Sequence, residues 1–433
     1  MTEKQKRIAL IVAIIISLVP SVMLMHFPAL VSPPSVALWL SAIVGYMGIV
    51  LLLWMYILGT RSTMGLIFRD PAPVLGIHKW LGKYGTIAIF LHPILITYSY
   101  GASWLYSFIP HTATQLDRRI LLGQIAFWIL VFTWVMSAYL REKITFRGWK
   151  YIHYLAYVSV PFALLHVPDL GSQERAHLLV KGYLFMLGLT FVVFSVFRIR
   201  SVLNLNRSPY RVVRHARLTD IDYLLTLRPN GGKAIRPRRG QYIYIKLGFL
   251  SEDHPFTVVR HDPTTDELMV AYRIAGMYTK ELEKLEDGHE VLLEGPYGSF
   301  MEELSETSST PVVYLSGGIG ITPFVDRILS ENDTREQWLF AANRNRELAV
   351  LYRPLKKELG DHAVAVYNAL KEAPKPGEEV GYITADLLRK YLKNPLQYQF
   401  YLCGPPAMME SLRSTVESLG VAPSAIYSEK FGW

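Results

Sequence analysis

Four histidines in the N-terminal half lie inside apolar stretches, where an ionisable side chain is costly and needs a partner. His78 and His92 are separated by fourteen residues, and His153 and His166 by thirteen. On helices that rise about 1.5 Å per residue, each separation is roughly 20 Å along the axis. If both helices enter the membrane from the same side, His78 lies level with His153, and His92 with His166. The spacing therefore predicts two cross-helix histidine pairs.

A neutral imidazole offers a lone pair to iron, and two imidazoles facing each other in a helical bundle can bind a haem from both sides. The pairs therefore predict two haems that transfer electrons. For each histidine alone, the alternative is an interfacial or hydrogen-bonded packing role. Three further histidines, His26, His111 and His177, lack such partners and are interpreted as solvated residues, with His111 also a candidate for the outer surface near the electron acceptor.

The two separations do not lead to the same helix face. Fourteen residues at about 100° each return nearly to the starting face, whereas thirteen leave the second histidine roughly 140° away. We therefore expect the helix of His153 and His166 to deviate from ideal winding, or its two haems to lie on different sides of it. Pro161 lies between these histidines and removes a backbone hydrogen bond, so we expect the distortion there.

The histidines belong to an apolar half that ends near residue 205 of the 433 residues. Six stretches are long enough to cross about 30 Å of hydrocarbon: 8–30, 36–58, 79–105, 120–140, 150–167 and 178–198. Basic loops at 59–70 and 141–150 place both termini in the cytoplasm. The first stretch is too long for a signal peptide and is interpreted as a retained anchor. We therefore expect a six-helix transmembrane domain over residues 1–205.

Composition excludes several classes of site. Cys403 is the only cysteine, so one chain cannot build a disulfide, an iron–sulfur cluster or a thiolate zinc site. Any redox chemistry therefore requires bound cofactors. The net charge of +9 comes largely from loops beside apolar segments, where membrane topology explains it, so we expect no binding to nucleic acid.

The C-terminal half has the pattern of a soluble protein. From about residue 208, short β-type segments alternate with turns, which predicts a small antiparallel barrel. After about residue 310, strands at 311–316, 337–342 and 399–403 predict a doubly wound parallel sheet. Gly317, Gly318 and Gly320 follow the first of these strands and permit close approach of a pyrophosphate to a helix N-terminus. The alternative is that these glycines serve only packing.

The motifs of this half occur in a specific order: His254-Pro255-Phe256-Thr257, Arg273, Gly276-Met277-Tyr278-Thr279, residues 317–324, Cys403-Gly404-Pro405-Pro406 and an aromatic C-terminus. This set resembles the ferredoxin-reductase-type module of NADPH oxidases and ferric reductases. Together with six spans and two histidine pairs, the chain is similar to a prokaryotic NADPH oxidase. The resemblance implies an FAD-binding β-barrel domain over residues 206–305 and a Rossmann-like NAD(P)H-binding α/β domain over residues 306–433.

The resemblance also implies an FAD site formed by His254, Pro255, Phe256, Thr257, Arg273, Gly276, Thr279 and Trp433. Thr257 would offer its hydroxyl to the isoalloxazine, and Arg273 and Thr279 would contact the pyrophosphate, which suits charged and hydroxyl donors. The alternatives are a simple turn at His254-Pro255 and a solvated strand position for Arg273.

For NADPH the resemblance implies contacts with Gly317, Gly318, Gly320, Thr322, Pro323, Arg344, Arg346, Cys403, Gly404 and Pro405. Arg344 follows the second strand where the family binds the 2′-phosphate, and Arg346 lies near it. No acidic residue stands at that strand end, so NADPH is favoured and NADH remains possible. Cys403 would lie beside the hydride path, and the alternative is a buried structural thiol.

The terminal aromatic residue leads to a first prediction. The family commonly ends in an aromatic ring that covers the flavin, a role that fits Trp433 or, in another register, Phe431. Because an indole has a large stacking area, Trp433→Ser should increase access of nicotinamide to the flavin. Nicotinamide binding and flavin reduction measured in this variant test the prediction, and unchanged values would count against it.

The implied function is electron transfer from cytoplasmic NADPH through FAD and two b-type haems to extracytoplasmic dioxygen, which produces superoxide. His78 and His153 would bind the inner haem, and His92 and His166 the outer one. Cys403, Trp433 and Thr257 would act in catalysis. The expected location is a bacterial inner membrane, without an obligatory protein partner. The alternatives are a ferric or cupric-chelate metalloreductase, a quinone-linked haem subunit, and a transporter or structural anchor.

Overall fold

The computed structural model describes residues 1–29, 31–104, 108–167, 178–249, 251–302, 304, 309–330 and 333–430. The chain divides into two compact units, with the division between Val202 and Leu203. Each unit is described by itself.

The first unit is helical. Its helices are α1 Glu3–Met23, α2 Pro33–Leu58, α3 Arg61–Met64, α4 Ala72–Trp80, α5 Thr86–Ser99, α6 Gln115–Ala138, α7 Phe146–Tyr154, α8 Ala156–His166 and α9 Leu178–Val202. Capping boxes at Thr2, Ser32 and Thr114 start α1, α2 and α6, and each such cap contributes about 1 kcal/mol. Within the described residues, α1, α2, α6 and α9 are long and apolar enough to cross a membrane.

The third and fifth expected spans are segmented helices. The third consists of α4, a π-helical turn at Leu81–Gly85, and α5. The fifth consists of α7 and α8, which meet at Leu155. Each of these helical segments is shorter than the roughly 20 residues that a single helix needs to cross a bilayer. Six spans therefore remain a prediction.

The π turn changes the register of the histidines. It lies between His78 and His92, and its wider hydrogen-bonded turn accommodates one additional residue. Fourteen residues that include this turn therefore rotate around the helix axis by about the same angle as thirteen residues of regular helix. The angle between His78 and His92 therefore approaches the value for thirteen residues of regular helix, which reduces the mismatch expected from the sequence.

The fifth span deviates from regular winding before the proline. Pro161 lies inside α8, whereas the interruption is at Leu155, where the Leu155 and Val158 amides bond carbonyls three residues earlier. A proline ring conflicts with the carbonyl four residues before it, here that of Tyr157. The change of hydrogen bonding at Leu155 and Val158 therefore lies before Pro161 in the chain, and not at the proline itself.

The second unit begins with the expected barrel, which the structure confirms. Its strands are β1 Ser208–Arg217, β2 Asp222–Pro229, β3 Tyr242–Lys246, β4 Asp253–Asp262, β5 Glu267–Arg273 and β6 Glu290–Tyr297, and helix α10 spans Met277–Glu283. They close in the order β1-β2-β5-β4-β3-β6, and the pairs are antiparallel. Ile243 and Ile245 are fully buried in the barrel interior. This alternation on β3 places Tyr242 and Tyr244 on the opposite face.

The parallel sheet is also confirmed. It contains β7 Val312–Gly317, β8 Gln337–Asn343, β9 Ala363–Tyr367, β10 Glu378–Val380, β11 Gln399–Gly404 and β12 Ile426–Lys430, in the order β10-β9-β8-β7-β11-β12. Helices α11 Thr322–Ile328, α12 Tyr352–Leu359, α13 Ala385–Tyr391 and α14 Pro406–Ser418 accompany it. Successive residues Val312 to Leu315 are fully buried, because hydrophobic clusters cover both faces of the sheet.

Candidate functional site

The structure brings the four membrane histidines together as two pairs. The ring centroids of His78 and His153 are 6.0 Å apart, with ring planes at 79°. Those of His92 and His166 are 6.4 Å apart, at 83°. Two imidazole nitrogens bound on opposite sides of one metal ion, at about 2 Å each, place their centroids about 6 Å apart. The spacing of both pairs therefore fits one iron between each pair of rings.

Hydrogen bonds orient all four rings. Three Nδ1 atoms bond a backbone carbonyl oxygen: His78 to Met55 at 3.0 Å, His92 to Ser41 at 2.9 Å, and His166 to Arg119 at 2.8 Å. His153 Nδ1 lies 3.1 Å from Ser137 Oγ. Because a carbonyl oxygen only accepts, the first three rings donate from Nδ1 and keep the Nε2 lone pair free for a metal. Such outer contacts are typical of metal-binding histidines.

Two glycines leave space for the outer pair of rings. A Cβ atom on Gly45 of α2 would lie 2.8 Å from His92 Nδ1, and one on Gly123 of α6 would lie 2.5 Å from His166 Nδ1. Both distances are shorter than ordinary contacts. Neither glycine stood out in the sequence, because a glycine in an apolar helix has many packing roles. They become informative only when the histidine rings are placed beside them.

His111 and His26 belong to neither ring pair. His111 is exposed, and its Nδ1 lies 2.8 Å from the Ile109 carbonyl oxygen. His26 is also exposed, and His177 lies outside the described residues. In the part of the chain that the structure describes, no group of three or more His, Cys, Asp or Glu side chains could hold a metal ion.

The residues predicted to line the flavin lie on β4. His254 and Pro255 pair with β3, so they belong to a strand and not to a turn. The His254 ring stacks on that of Tyr278, with centroids 4.0 Å apart. Phe256 packs against the barrel core. Thr257 is buried, and its Oγ1 has no hydrogen-bond partner, which fits a hydroxyl that would bond the flavin.

Arg273 connects the barrel to the glycine turn. Its Nε and Nη2 donate to the two carboxylate oxygens of Asp222 at 2.7 and 2.9 Å. Asp222 is fully buried and lies opposite Arg273 in the β2–β5 register. A Cβ atom on Gly318, whose φ is +56°, would lie 2.9 Å from Arg273 Nη1. Arg273 is therefore a fixed residue, and Asp222 is a partner that strand register alone could have indicated.

Gly276 and Thr279 form the start of α10. Thr279 Oγ1 accepts from the amides of Ala275 and Gly276 at 2.9 and 3.1 Å, and donates to the Gly276 carbonyl oxygen at 3.0 Å. Gly276 has extended backbone angles. The structure therefore gives the Thr279 hydroxyl a capping role, and contact with a pyrophosphate stays a prediction.

The glycines after β7 have different roles. A Cβ atom on Gly320 would lie 2.4 Å from the Cys403 carbonyl oxygen, and one on Gly317 would lie 2.4 Å from the sulfur of Met408. Packing therefore requires both of these glycines, whereas Gly318 approaches Arg273. Residues Gly318–Ile321 form a 3₁₀ turn, and Thr322 and Pro323 begin the seven-residue helix α11.

Two polar residues at the sheet edge were missed from the sequence. Ser316 Oγ and Asn343 Oδ1 are buried atoms without a hydrogen-bond partner. They lie near the carboxyl ends of β7 and β8, which are neighbouring parallel strands. Ligands bind outside this edge in doubly wound sheets. The two unsatisfied atoms therefore fit a site for a nucleotide, and their positions at strand ends were the available signal.

The two arginines after β8 differ in their partners. Arg346 donates to both carboxylate oxygens of Glu378 at 2.9 and 2.7 Å, and also contacts Glu372 and the Ala373 carbonyl. This bond holds the pKa of Glu378 below its usual value. Arg344 is exposed, and among the described residues no carboxylate pairs with it. Arg344 is therefore accessible to a ligand, whereas the guanidinium of Arg346 is already bonded to Glu378.

Cys403 lies near the end of β11 and is fully buried. Burial raises the pKa of its thiol, with a smaller contribution from Glu429, so the group stays protonated. Gly404 follows, and a Cβ atom there would lie 3.3 Å from the Gly317 backbone. Pro405 is the N-cap of α14. Trp433 and Phe431 lie outside the described residues.

Comparison with known proteins identifies two matching families. Residues 44–164 match the family described as ferric reductase like transmembrane component. Residues 314–414 match the oxidoreductase NAD-binding domain. The first range contains His78, His92 and His153 and ends just before His166. The second range contains the glycine turn and Cys403.

Individual relatives match part of the chain. A flavohemoprotein of Bacillus subtilis (strain 168) is 27% identical over 222 residues, which are 48% of this chain and 54% of that protein. Flavohemoprotein A of Dictyostelium discoideum is 28% identical over 228 residues, 47% of this chain and 55% of that protein. The chain spans about half the length of these curated relatives. The flavohem-like FAD/NAD binding domain of nitric oxide dioxygenase from Vibrio cholerae has 19% identity and a TM-score of 0.47, and covers 53% of this chain and 100% of that one.

Proposed function

We propose that the chain is a superoxide-producing NADPH oxidase. It has the architecture of the NADPH oxidases and ferric reductases, in which a ferric reductase-like transmembrane domain is joined to an NAD-binding oxidoreductase domain. The chain transfers electrons from cytoplasmic NADPH, through FAD and two b-type haems, to dioxygen on the other side of a bacterial inner membrane, and produces superoxide. Both termini lie in the cytoplasm. The transmembrane domain ends near residue 205 and the FAD domain near residue 305, and no partner protein is obligatory.

The observation that carries this proposal is the geometry of the two histidine pairs. His78 and His153 would hold the inner haem, and His92 and His166 the outer one. The centroid separations, 6.0 Å in one pair and 6.4 Å in the other, fit one iron held between the two imidazoles of each pair. When bound, FAD accepts a hydride and the haems pass single electrons. Because two imidazoles would hold each iron, electron transfer to dioxygen without binding at iron would be favoured.

The soluble residues would bind and orient the other cofactors. Thr257 would offer its unsatisfied hydroxyl to the flavin, and Arg273, held by Asp222, would face a pyrophosphate. Cys403 would present a neutral thiol, because burial raises its pKa. These residues bind and position the reactants, and leave the redox chemistry to the cofactors.

The accessible arginine leads to a second prediction. Arg344→Ala should lower kcat/KM for NADPH roughly ten- to a hundredfold and leave NADH almost unchanged, since a bond to a charged phosphate contributes about 1.5–3 kcal/mol. Steady-state kinetics with both nucleotides measure this difference. Arg353→Ala, at another exposed position of the same sheet domain, is the control. Equal losses for both nucleotides would contradict a role at the 2′-phosphate.

NADPH-driven oxygen uptake tests the proposed acceptor. Purified protein with haem and FAD should consume oxygen and reduce cytochrome c in a reaction that superoxide dismutase inhibits. Cytochrome c reduction insensitive to the dismutase would reject the oxidase function. Faster reduction of ferric or cupric chelates than of dioxygen would instead favour a metalloreductase that uses the same electron path.

A further inference from the structure

One of the four paired histidines is held by a side chain and not by the backbone. His78, His92 and His166 bond carbonyl oxygens of the main chain, which remain when the partner residue is substituted. The partner of His153 Nδ1 is Ser137 Oγ, at 3.1 Å. The orientation of the His153 ring therefore depends on which residue occupies position 137.

Trp149 contacts both the ring and the hydroxyl that holds it. Its indole stacks on His153, with centroids 5.0 Å apart and planes at 20°. Its Nε1–H donates to Ser137 Oγ at 3.2 Å. Trp149 and His153 share a helix face because they are four residues apart on α7. The Arg141 guanidinium lies 4.7 Å from the centre of the indole ring, which is within the range of a cation–π interaction.

We infer that Ser137 is a positioning residue that orients His153 and sets the midpoint potential of the inner haem. This inference rests on the proposed function. A hydrogen bond from the second ring nitrogen raises the basicity of a metal-binding imidazole. A more basic ligand stabilises ferric iron relative to ferrous iron and lowers the midpoint potential. Since the other three rings bond the main chain, the effect of residue 137 is confined to one haem.

A potentiometric titration of the purified protein, followed in the haem absorption bands, tests the inference. Ser137→Ala should shift the midpoint potential of one haem to a more positive value and leave the other unchanged. Ser137→Thr keeps a hydroxyl and should retain both wild-type midpoints. Ser17→Ala is a matched control, because Ser17 Oγ also accepts an indole N–H, from Trp54 at 2.8 Å.

The outcomes separate this inference from the proposed function. Two bound haems with unchanged midpoints in Ser137→Ala would overturn the inference alone, as would equal shifts of both haems. Loss of one haem in Ser137→Ala, with its retention in Ser137→Thr, would support the role of the hydroxyl, and loss in both variants would overturn it. Wild-type protein that binds no haem would overturn the proposed function together with the inference.

Discussion

Replacing His166 with leucine should abolish electron delivery to acceptors outside the membrane, while NADPH continues to reduce FAD. The variant lacks one of the two imidazoles that would hold the outer haem, and its partner His92 remains alone. The inner pair, His78 and His153, keeps its contacts. Haem content should therefore fall from two per chain to about one, because a haem with one axial ligand is bound less strongly.

Two measurements on the same preparation check this result. Haem per chain gives the number of occupied sites, and stopped-flow reduction of FAD by NADPH reports on the soluble half. His26→Leu is the control, since His26 is exposed and belongs to neither histidine pair. External reduction at the wild-type rate in His166→Leu would contradict the proposed path.

Replacing Gly123 with alanine should remove the same haem, although no histidine is replaced. The new methyl group would lie 2.5 to 2.8 Å from three atoms of the His166 ring. The ring cannot retreat easily, because its Nδ1 is bonded to the Arg119 carbonyl at 2.8 Å. Alanine also favours a helix over glycine by about 0.5–1 kcal/mol. A weakened helix therefore cannot explain the loss.

Haem content and helical circular dichroism measure this effect. Gly188→Ala is the matched control, since it makes the same change in α9, which is long and apolar enough to cross a membrane, at a position where a Cβ atom meets nothing within 4 Å. The control should keep two haems. Two haems with wild-type spectra in Gly123→Ala would show that the outer ring position is not as restricted as the structure indicates.

The pairing of the histidines was predictable because it depends on helix rise, which varies little along a chain. Their angular register was not, since fourteen and thirteen residues gave different faces on ideal helices. The π turn at Leu81–Gly85 reduces this mismatch. Its sequence, which includes Gly82 and Gly85, contains no proline and nothing that specifies the wider turn. Pro161 was visible, but the interruption lies earlier, at Leu155.

In the soluble half, strands and turns were predictable from alternation and glycine spacing, and the barrel and the parallel sheet follow that pattern. The partners of individual polar groups were not, because they come from distant segments. Arg346 is bonded to Glu378 thirty-two residues later, and Arg273 to Asp222 fifty-one residues earlier. The sequence therefore placed Arg344 at the 2′-phosphate with Arg346 near it, and only the structure shows that Arg346 is bonded to a carboxylate.

The number of haems per chain that NADPH reduces without oxygen tests the central claim most directly. Purified protein supplied with haem and FAD is mixed anaerobically with NADPH, and the absorption bands of low-spin ferrous haem are recorded. We expect two haems per chain to become reduced. A protein that binds no haem, or one in which FAD is reduced while both haems stay oxidised, would contradict it.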